Sequence, residues 1–240
     1  MTTIRNNLQR VHQRIADACA QAQRPVTDVT LLAVSKTFGP DAVREAHDAG
    51  QNVFGENYIQ EAVEKIALLR ELPVQWHCIG PVQSNKTRLV ATHFDWVHSI
   101  DRLKIAQRLS EQRPPQLAPL QVCIQVNIDG GATKAGVAPK EAAALAGEIG
   151  QLPRLRLRGL MTIPEPLDNF AAQRALHLRT RALFDQLNDA GLALDTLSMG
   201  MTADLEAAIA AGSTMLRLGT AIFGGRTAVV IPGLARDPSC

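Results

Sequence analysis

The sequence predicts an α/β fold, a single (β/α)8 TIM-type barrel with an extra N-terminal helix. Short apolar runs alternate with amphipathic stretches along most of the chain, which implies right-handed crossovers and a parallel sheet. Roughly eight such strands can be counted, more than the competing doubly wound open sheet usually carries. The 240 residues lie close to the roughly 250 typical of this barrel. No internal boundary is visible, so 1–240 reads as one barrel domain, with the N-terminal helix in 1–24 and an irregular tail over 226–240.

Each element follows from its pattern. Ile4, Leu8, Val11, Ile15 and Cys19 share one face of a helix over 3–22. VTLLAVS, after Pro25, reads as a buried strand, and DAVREAHDAG as a short helix closed by Gly50. The alternation continues through strand NVFG, helix 57–71, strand PVQWHCIG, helix 84–91, strand FDWVHS, helix 101–112 and strand LQVCIQVN. Helix 139–150, strand LRLRGLM, helix 168–190, strand LDTLSMG, helix 203–211 and strand STMLRLG complete it.

Composition excludes several classes. A formal charge of +2 and 4% aromatic residues give neither the field nor the stacking platform of a nucleic-acid binder. Cys19, Cys78, Cys123 and Cys240 form no C-x-x-C pair and no cluster at zinc spacing, so no metal is expected. The opening MTTIRNNLQRVHQRI lacks the apolar core of a signal peptide, and no stretch approaches the roughly 18 unbroken apolar residues of a membrane span. A reduced, soluble, cytoplasmic protein without a membrane partner is expected.

In such a barrel the chemistry lies at the carboxyl ends of the strands. The run LLAVSKTF places Lys36 there, where a solvated strand end or a lysine held for chemistry would both account for it. Glu56 and Asn57 follow strand 2, and His77 and Gly80 end strand 3. Asn127 ends strand 5, Met161 strand 6, SMGMT follows strand 7 and RLGTAIFGGR strand 8. Barrel phosphate sites are commonly built after strands 7 and 8. Thr202 reads as the N-cap of ADLEAAIAAG, Gly219 permits close backbone approach, and Thr220 adds a hydroxyl. Singly, a cap and a turn would explain Thr202 and Gly219 as well.

A lysine opposite an anion cradle suits a Schiff-base aldolase acting on a sugar phosphate, or a lysine carrying pyridoxal 5′-phosphate (PLP). Arg217 bears on the choice, because it could donate to the cofactor's ring nitrogen. It could equally form an ion pair at the mouth. The segments AVSKT, FGENY-x-QE, WH-x-IG-x-Q-x-NK, RGLM-x-IP, LSMGM-T-x-D and R-x-G-x-AIFG-x-R occur in order between Leu31 and Arg226. Together they resemble the YggS/PROSC family of pyridoxal-phosphate homeostasis proteins.

That resemblance implies a barrel similar to the N-terminal domain of alanine racemase, with PLP held as a Schiff base on Lys36. It maps the phosphate-binding hydroxyl onto Thr202 and the R-x-G-T segment onto Arg217, Gly219 and Thr220, and it brings Asn57, His77 and Ser198 near the cofactor. Departures are Thr202 where many members have serine, the Gly39–Pro40 placement, and Thr133 before Lys134. Lys134 is a second lysine of interest, as a transient cofactor acceptor on the rim or a solvated loop residue.

A racemase needs a base on each face of a planar carbanion. The opposing tyrosine of alanine racemases comes from a second domain of a partner subunit. Here the only tyrosine is Tyr58, at a helix start, and no second domain is expected after the barrel. The expected role is therefore a non-catalytic, monomeric PLP carrier or buffer that keeps the cofactor sequestered and available to apo-enzymes, its transient partners. A PLP-dependent racemase, a lysine aldolase and a plain scaffold are the alternatives. His12, His47, His93, His98 and His177 show no ligand-like pairing and are expected to be structural.

Overall fold

The computed structural model describes residues 3–131 and 133–225. The tail expected over 226–240, with Arg226 and Cys240, lies outside the described residues.

Eight parallel strands close into a barrel in sequence order, β1 pairing with both β2 and β8. They are β1 (Thr30–Val34), β2 (Val53–Glu56), β3 (Gln75–Cys78), β4 (Trp96–Ile100), β5 (Leu120–Gln125), β6 (Leu155–Met161), β7 (Thr196–Ser198) and β8 (Met215–Leu218). The helices are α1 (Ile4–Gln21), α2 (Pro40–Asp48), α3 (Ile59–Leu68), α4 (Thr87–His93), α5 (Leu103–Gln112), α6 (Ala142–Gly150), α7 (Phe170–Asp189), α8 (Leu205–Ala210) and α9 (Thr220–Phe223). The barrel with its added N-terminal helix is the expected fold.

Period-two alternation divides the strand side chains between two cores. Outward residues such as Ala33, Phe54, Val97 and Leu197 join the helix faces in one large apolar layer. Two smaller clusters, Leu32–Val34–Ile79–Met215 and Trp96–Cys123–Met161, occupy inward positions. Between them lie buried polar groups, among them His77, His98, Ser198 and Arg217.

Helix α1 buries Leu8, Val11, Ile15 and Cys19, the stripe expected. It packs on α8 and α9. Asn7 Nδ2 donates to Ile222 O at 2.7 Å, and Arg14 pairs with Glu206 at 2.5 Å. The start of the chain therefore braces the elements beside the last two strands.

Two boundaries differ from expectation in ways that touch the site. Helix α8 starts at Leu205 with Asp204 at its N-cap, not at residue 203 with Thr202 as cap. Asp204 Oδ1 accepts the Met201 amide at 2.6 Å, which holds residues 202–204 in a turn before the helix begins. The four-residue α9, after Gly219, was not expected; its end is set by Gly224, whose φ of 89° is the left-handed region that glycine tolerates.

Candidate functional site

Lys36 leaves the barrel wall two residues after β1 and is partly buried. Among the described residues it has neither an ion pair nor a hydrogen-bond partner, whereas Lys65 and Lys134 are both ion-paired. Its neighbours are tightly held. Ser35 Oγ donates to Glu56 Oε1 at 2.6 Å, Lys65 Nζ donates to Ser35 O at 3.0 Å, and the Thr37 amide reaches Glu61 Oε1 at 3.2 Å. Thr37 has φ of 68°, a left-handed conformation costly for a β-branched residue. The backbone around Lys36 is thus clamped to α3. Burial pushes the Glu56 carboxyl up, against the pull of Lys65.

The loops after β7 and β8 lie on the same end of the barrel. Gly200 has φ of 97°, and a Cβ there would lie 2.5 Å from Ala208 Cβ, so only glycine fits. Thr202 follows in the turn, partly exposed, and Thr220 is exposed at the first position of α9. A Cβ on Gly219 would approach Val34 O to 3.1 Å, which places the β8 loop against the end of β1, two residues from Lys36.

Arg217 sits beneath this seam, buried, pointing inward from β8. Nη1 donates to Ser198 O at 2.5 Å and Ser198 Oγ at 2.8 Å, and Nη2 to Thr162 O at 2.8 Å. No carboxylate pairs with it among the described residues, so the ion pair considered for it at the mouth is not formed there. Three of its five N–H groups are engaged, and the other two have no partner among the described residues. Burial pulls the guanidinium down to about 10, which leaves it cationic at neutral pH.

Asn57 follows β2, lines the mouth, and has a buried Oδ1 with no partner. A Cβ on Gly80 would overlap the Asn57 carbonyl, so Gly80 is what permits the two loops to meet. Asn57, Gly80, Gln125, Lys134, Ile163 and Met201 line a cleft of about 410 Å³ over the barrel end. Asn127 shapes the adjacent loop, accepting from the Gly130 amide at 3.0 Å.

His77 and Ser198 stand apart from the other expected site residues. His77 is fully buried inside the barrel, stacked on Trp96, with Nε2 against Gln75 Oε1 at 2.9 Å and Nδ1 against His98 Nε2 at 2.8 Å. His98 Nδ1 in turn lies 2.8 Å from Ser198 Oγ. His77 therefore reaches the mouth only through His98, Ser198 and Arg217. Burial, with His98 adding, holds His77 well below its ordinary range; burial, with Arg217 adding, pulls His98 down to about 3.

Two of the histidines expected to be structural make specific side-chain contacts. His98 links His77 to Ser198, and His177 Nε2 lies 2.9 Å from Asp204 Oδ2, under the turn that carries Thr202. Burial pushes Asp204 up, but bonds from His177 and the Met201 amide outweigh it and hold the carboxyl below its ordinary value. The signal for His98 lay in strand register: His77 pairs with Trp96, so the residue two further along β4 faces the same interior.

Lys134 is on the rim but not solvated. Its Nζ lies 2.7 Å from Asp129 and 3.1 Å from Glu165 and donates to Ile163 O at 3.2 Å. Burial pulls its amine down, yet the two carboxylates outweigh that and hold it above its ordinary value. Tyr58, the only tyrosine, is 55% exposed at the start of α3.

Among the described residues no group of His, Cys, Asp and Glu is arranged to hold a metal ion, and no helix is long and apolar enough to cross a membrane.

The family model of the alanine racemase N-terminal domain matches residues 3–227. The pyridoxal phosphate homeostasis protein of Pseudomonas aeruginosa is 60% identical over 226 residues, covering 94% of this chain and 97% of that one. The protein of the same name from Escherichia coli is 52% identical over 229 residues, covering 94% and 98%. Among solved structures, PipY of Synechococcus elongatus with PLP bound superposes with a TM-score of 0.76 at 38% identity, covering 88% of this chain and all of that one. An alanine racemase of Clostridium difficile shares the fold at 14% identity, with a TM-score of 0.71. The chain belongs to the YggS/PROSC family of pyridoxal phosphate homeostasis proteins, within the wider group built on the alanine racemase N-terminal barrel.

Proposed function

We propose that this protein binds PLP on Lys36, holds it reversibly and releases it to other proteins, without turning over a substrate. The observation that carries this reading is the β8–β1 seam. There Gly219 meets Val34, two residues before Lys36, which has no partner among the described residues, and Arg217, two residues before Gly219, keeps two N–H groups likewise without a partner there. The names of the relatives and the PLP-bound PipY structure support it.

The residues suit the cofactor's chemistry. PLP supplies an aldehyde that condenses reversibly with a primary amine, a phosphate dianion and a ring nitrogen. Lys36 offers the amine. The hydroxyls of Thr202 and Thr220, with the backbone amides after β7 and β8, offer donors to the dianion. Arg217 would face the ring nitrogen as a donor, and the orphaned Asn57 Oδ1 offers an acceptor at the mouth. Gly200 and Gly219 allow the backbone to come close. His77 and Ser198 would act on the cofactor through Arg217.

A cation at the ring nitrogen disfavours its protonation and so weakens the electron sink that carbanion chemistry needs. Tyr58 is turned to solvent, so a second base opposite Lys36 is not offered by the only tyrosine. Both features favour holding over racemisation. The protein would work in the cytoplasm as a single barrel domain and a monomer, meeting apo PLP-dependent enzymes transiently.

The test is a visible absorption spectrum of the protein charged with PLP, beside Lys36→Ala, before and after borohydride. A yellow band that Lys36→Ala lacks, with the reduced adduct mapped to Lys36 by peptide mass, is expected. A protein that stays colourless with added PLP would overturn the reading.

A further inference from the structure

Side chains inside the barrel form one continuous line of contacts from its amino end to beneath the mouth, buried except at its first member. Gln75 Oε1 meets His77 Nε2 at 2.9 Å, His77 Nδ1 meets His98 Nε2 at 2.8 Å, His98 Nδ1 meets Ser198 Oγ at 2.8 Å, and Ser198 Oγ accepts from Arg217 Nη1 at 2.8 Å. Gln75 is the first residue of β3 and exposed, so the line starts at the amino end of the barrel and ends under the mouth.

Donor counting gives the line a direction. The Ser198 oxygen already accepts from Arg217, and its hydroxyl hydrogen has one acceptor among the described residues, His98 Nδ1. His98 then carries its proton on Nε2 and donates to His77 Nδ1. His77 carries its proton on Nε2 and donates to the Gln75 carbonyl oxygen. Every link has one hydrogen and every ring one tautomer. In the reverse sense the Ser198 hydroxyl hydrogen would point at no acceptor, a costly arrangement for a buried group. Neutral rings fit the burial of both histidines.

We propose that His98 is a positioning residue for Arg217: by fixing which way the Ser198 hydroxyl points, it fixes the guanidinium under the mouth and thereby the protein's preference for a ligand with a ring nitrogen. This rests on the reading that PLP binds at Lys36 with Arg217 at that nitrogen, and it goes beyond that reading by assigning a role to His98 and its chain.

The experiment compares the affinities for PLP and for its analogue with carbon in place of the ring nitrogen, in wild type, His98→Leu, His98→Asn and Ser198→Ala. Wild type is expected to prefer PLP by on the order of tenfold, as for one hydrogen bond to a charged group. His98→Leu and Ser198→Ala should bring the ratio close to one. His98→Asn, whose amide oxygen can accept from Ser198, should restore most of it. A general loss of packing would weaken both ligands together and leave the ratio unchanged, which would overturn the proposal. So would ring-nitrogen NMR of wild type showing the Nδ1–H tautomer at His98. If wild type binds both ligands equally, Arg217 does not act on the nitrogen, and the proposal falls while Lys36 anchoring stands. If neither ligand binds, the cofactor reading itself falls and takes the proposal with it.

Discussion

Lys65 Nζ lies 2.6 Å from Glu56 Oε1 and 3.0 Å from Ser35 O, the carbonyl immediately before Lys36. Both side chains of this pair are shut off from solvent, so the pair joins α3 to the ends of β1 and β2 inside the protein.

Removing one partner should therefore be expensive. Lys65→Met leaves the Glu56 carboxylate buried and unpaired, and about 3–5 kcal/mol of stability should be lost in urea denaturation. Replacing both, as Lys65→Met with Glu56→Leu, should recover most of that loss, because a buried pair contributes little beyond an apolar substitute. A loss from the single change of less than about 1 kcal/mol, the range of a surface pair, would show that the clamp is not built as described.

His77 and His98 make stability depend on pH in a stated sense. Unfolded, each takes up a proton near its ordinary value of 6.5; folded, His98 does so only near 3, and His77 well below the ordinary value. Between those limits the unfolded state binds more protons, so stability is fully present above about pH 6.5 and is lost as pH falls. The slope should approach about 1.4 kcal/mol per pH unit for each histidine. Denaturation midpoints at a series of pH values should show a shallower fall in His98→Asn than in wild type. Equal slopes would contradict the burial of a neutral ring.

Thr202 can be separated from Lys36 by choice of ligand. Thr202→Val removes a hydroxyl that the proposed site would offer to the phosphate, so affinity for PLP should drop by about tenfold, as for a hydrogen bond to an anion. Affinity for pyridoxal, which has no phosphate, should not change, and Thr202→Ser should resemble wild type. A parallel loss for both ligands would move Thr202 out of the anion site.

Gly200→Ala combines two penalties, a left-handed φ of 97° and a Cβ 2.5 Å from Ala208. A loss of about 1–3 kcal/mol is expected from overpacking alone. The turn carrying Thr202 should exchange its amide hydrogens faster than in wild type. Wild-type stability in Gly200→Ala would show that α8 can move aside.

The barrel was legible because its strands and helices are local patterns: TLLAV and VFGE read as strands wherever they fall, and their alternation sets the topology. The positions of Lys36, Gly219 and Thr220 just past β1 and β8 were legible from the same alternation, and the rule that strand ends carry the chemistry makes them candidates. Thr-Ala-Asp-Leu-Glu has the composition of a helix start capped by Thr202, but the competing bond from the Met201 amide to Asp204 delays the helix by two residues. What stayed hidden was what distant segments do together. Lys134 is claimed by Asp129 five residues away but also by Glu165 from the next loop. His98 and Ser198 are one hundred residues apart, and only closure of the barrel makes them neighbours.

That closure also sets a timetable. Lys36 belongs to the first strand, while Arg217 and the two threonines belong to the last two, and β1 meets β8 only when the ring shuts. A chain emerging from the ribosome carries its lysine for most of its synthesis without the guanidinium or hydroxyls that would complete the site. If the cofactor binds as proposed, loading would thereby be tied to completion, since the β1–β8 seam forms only once the last strand is in place.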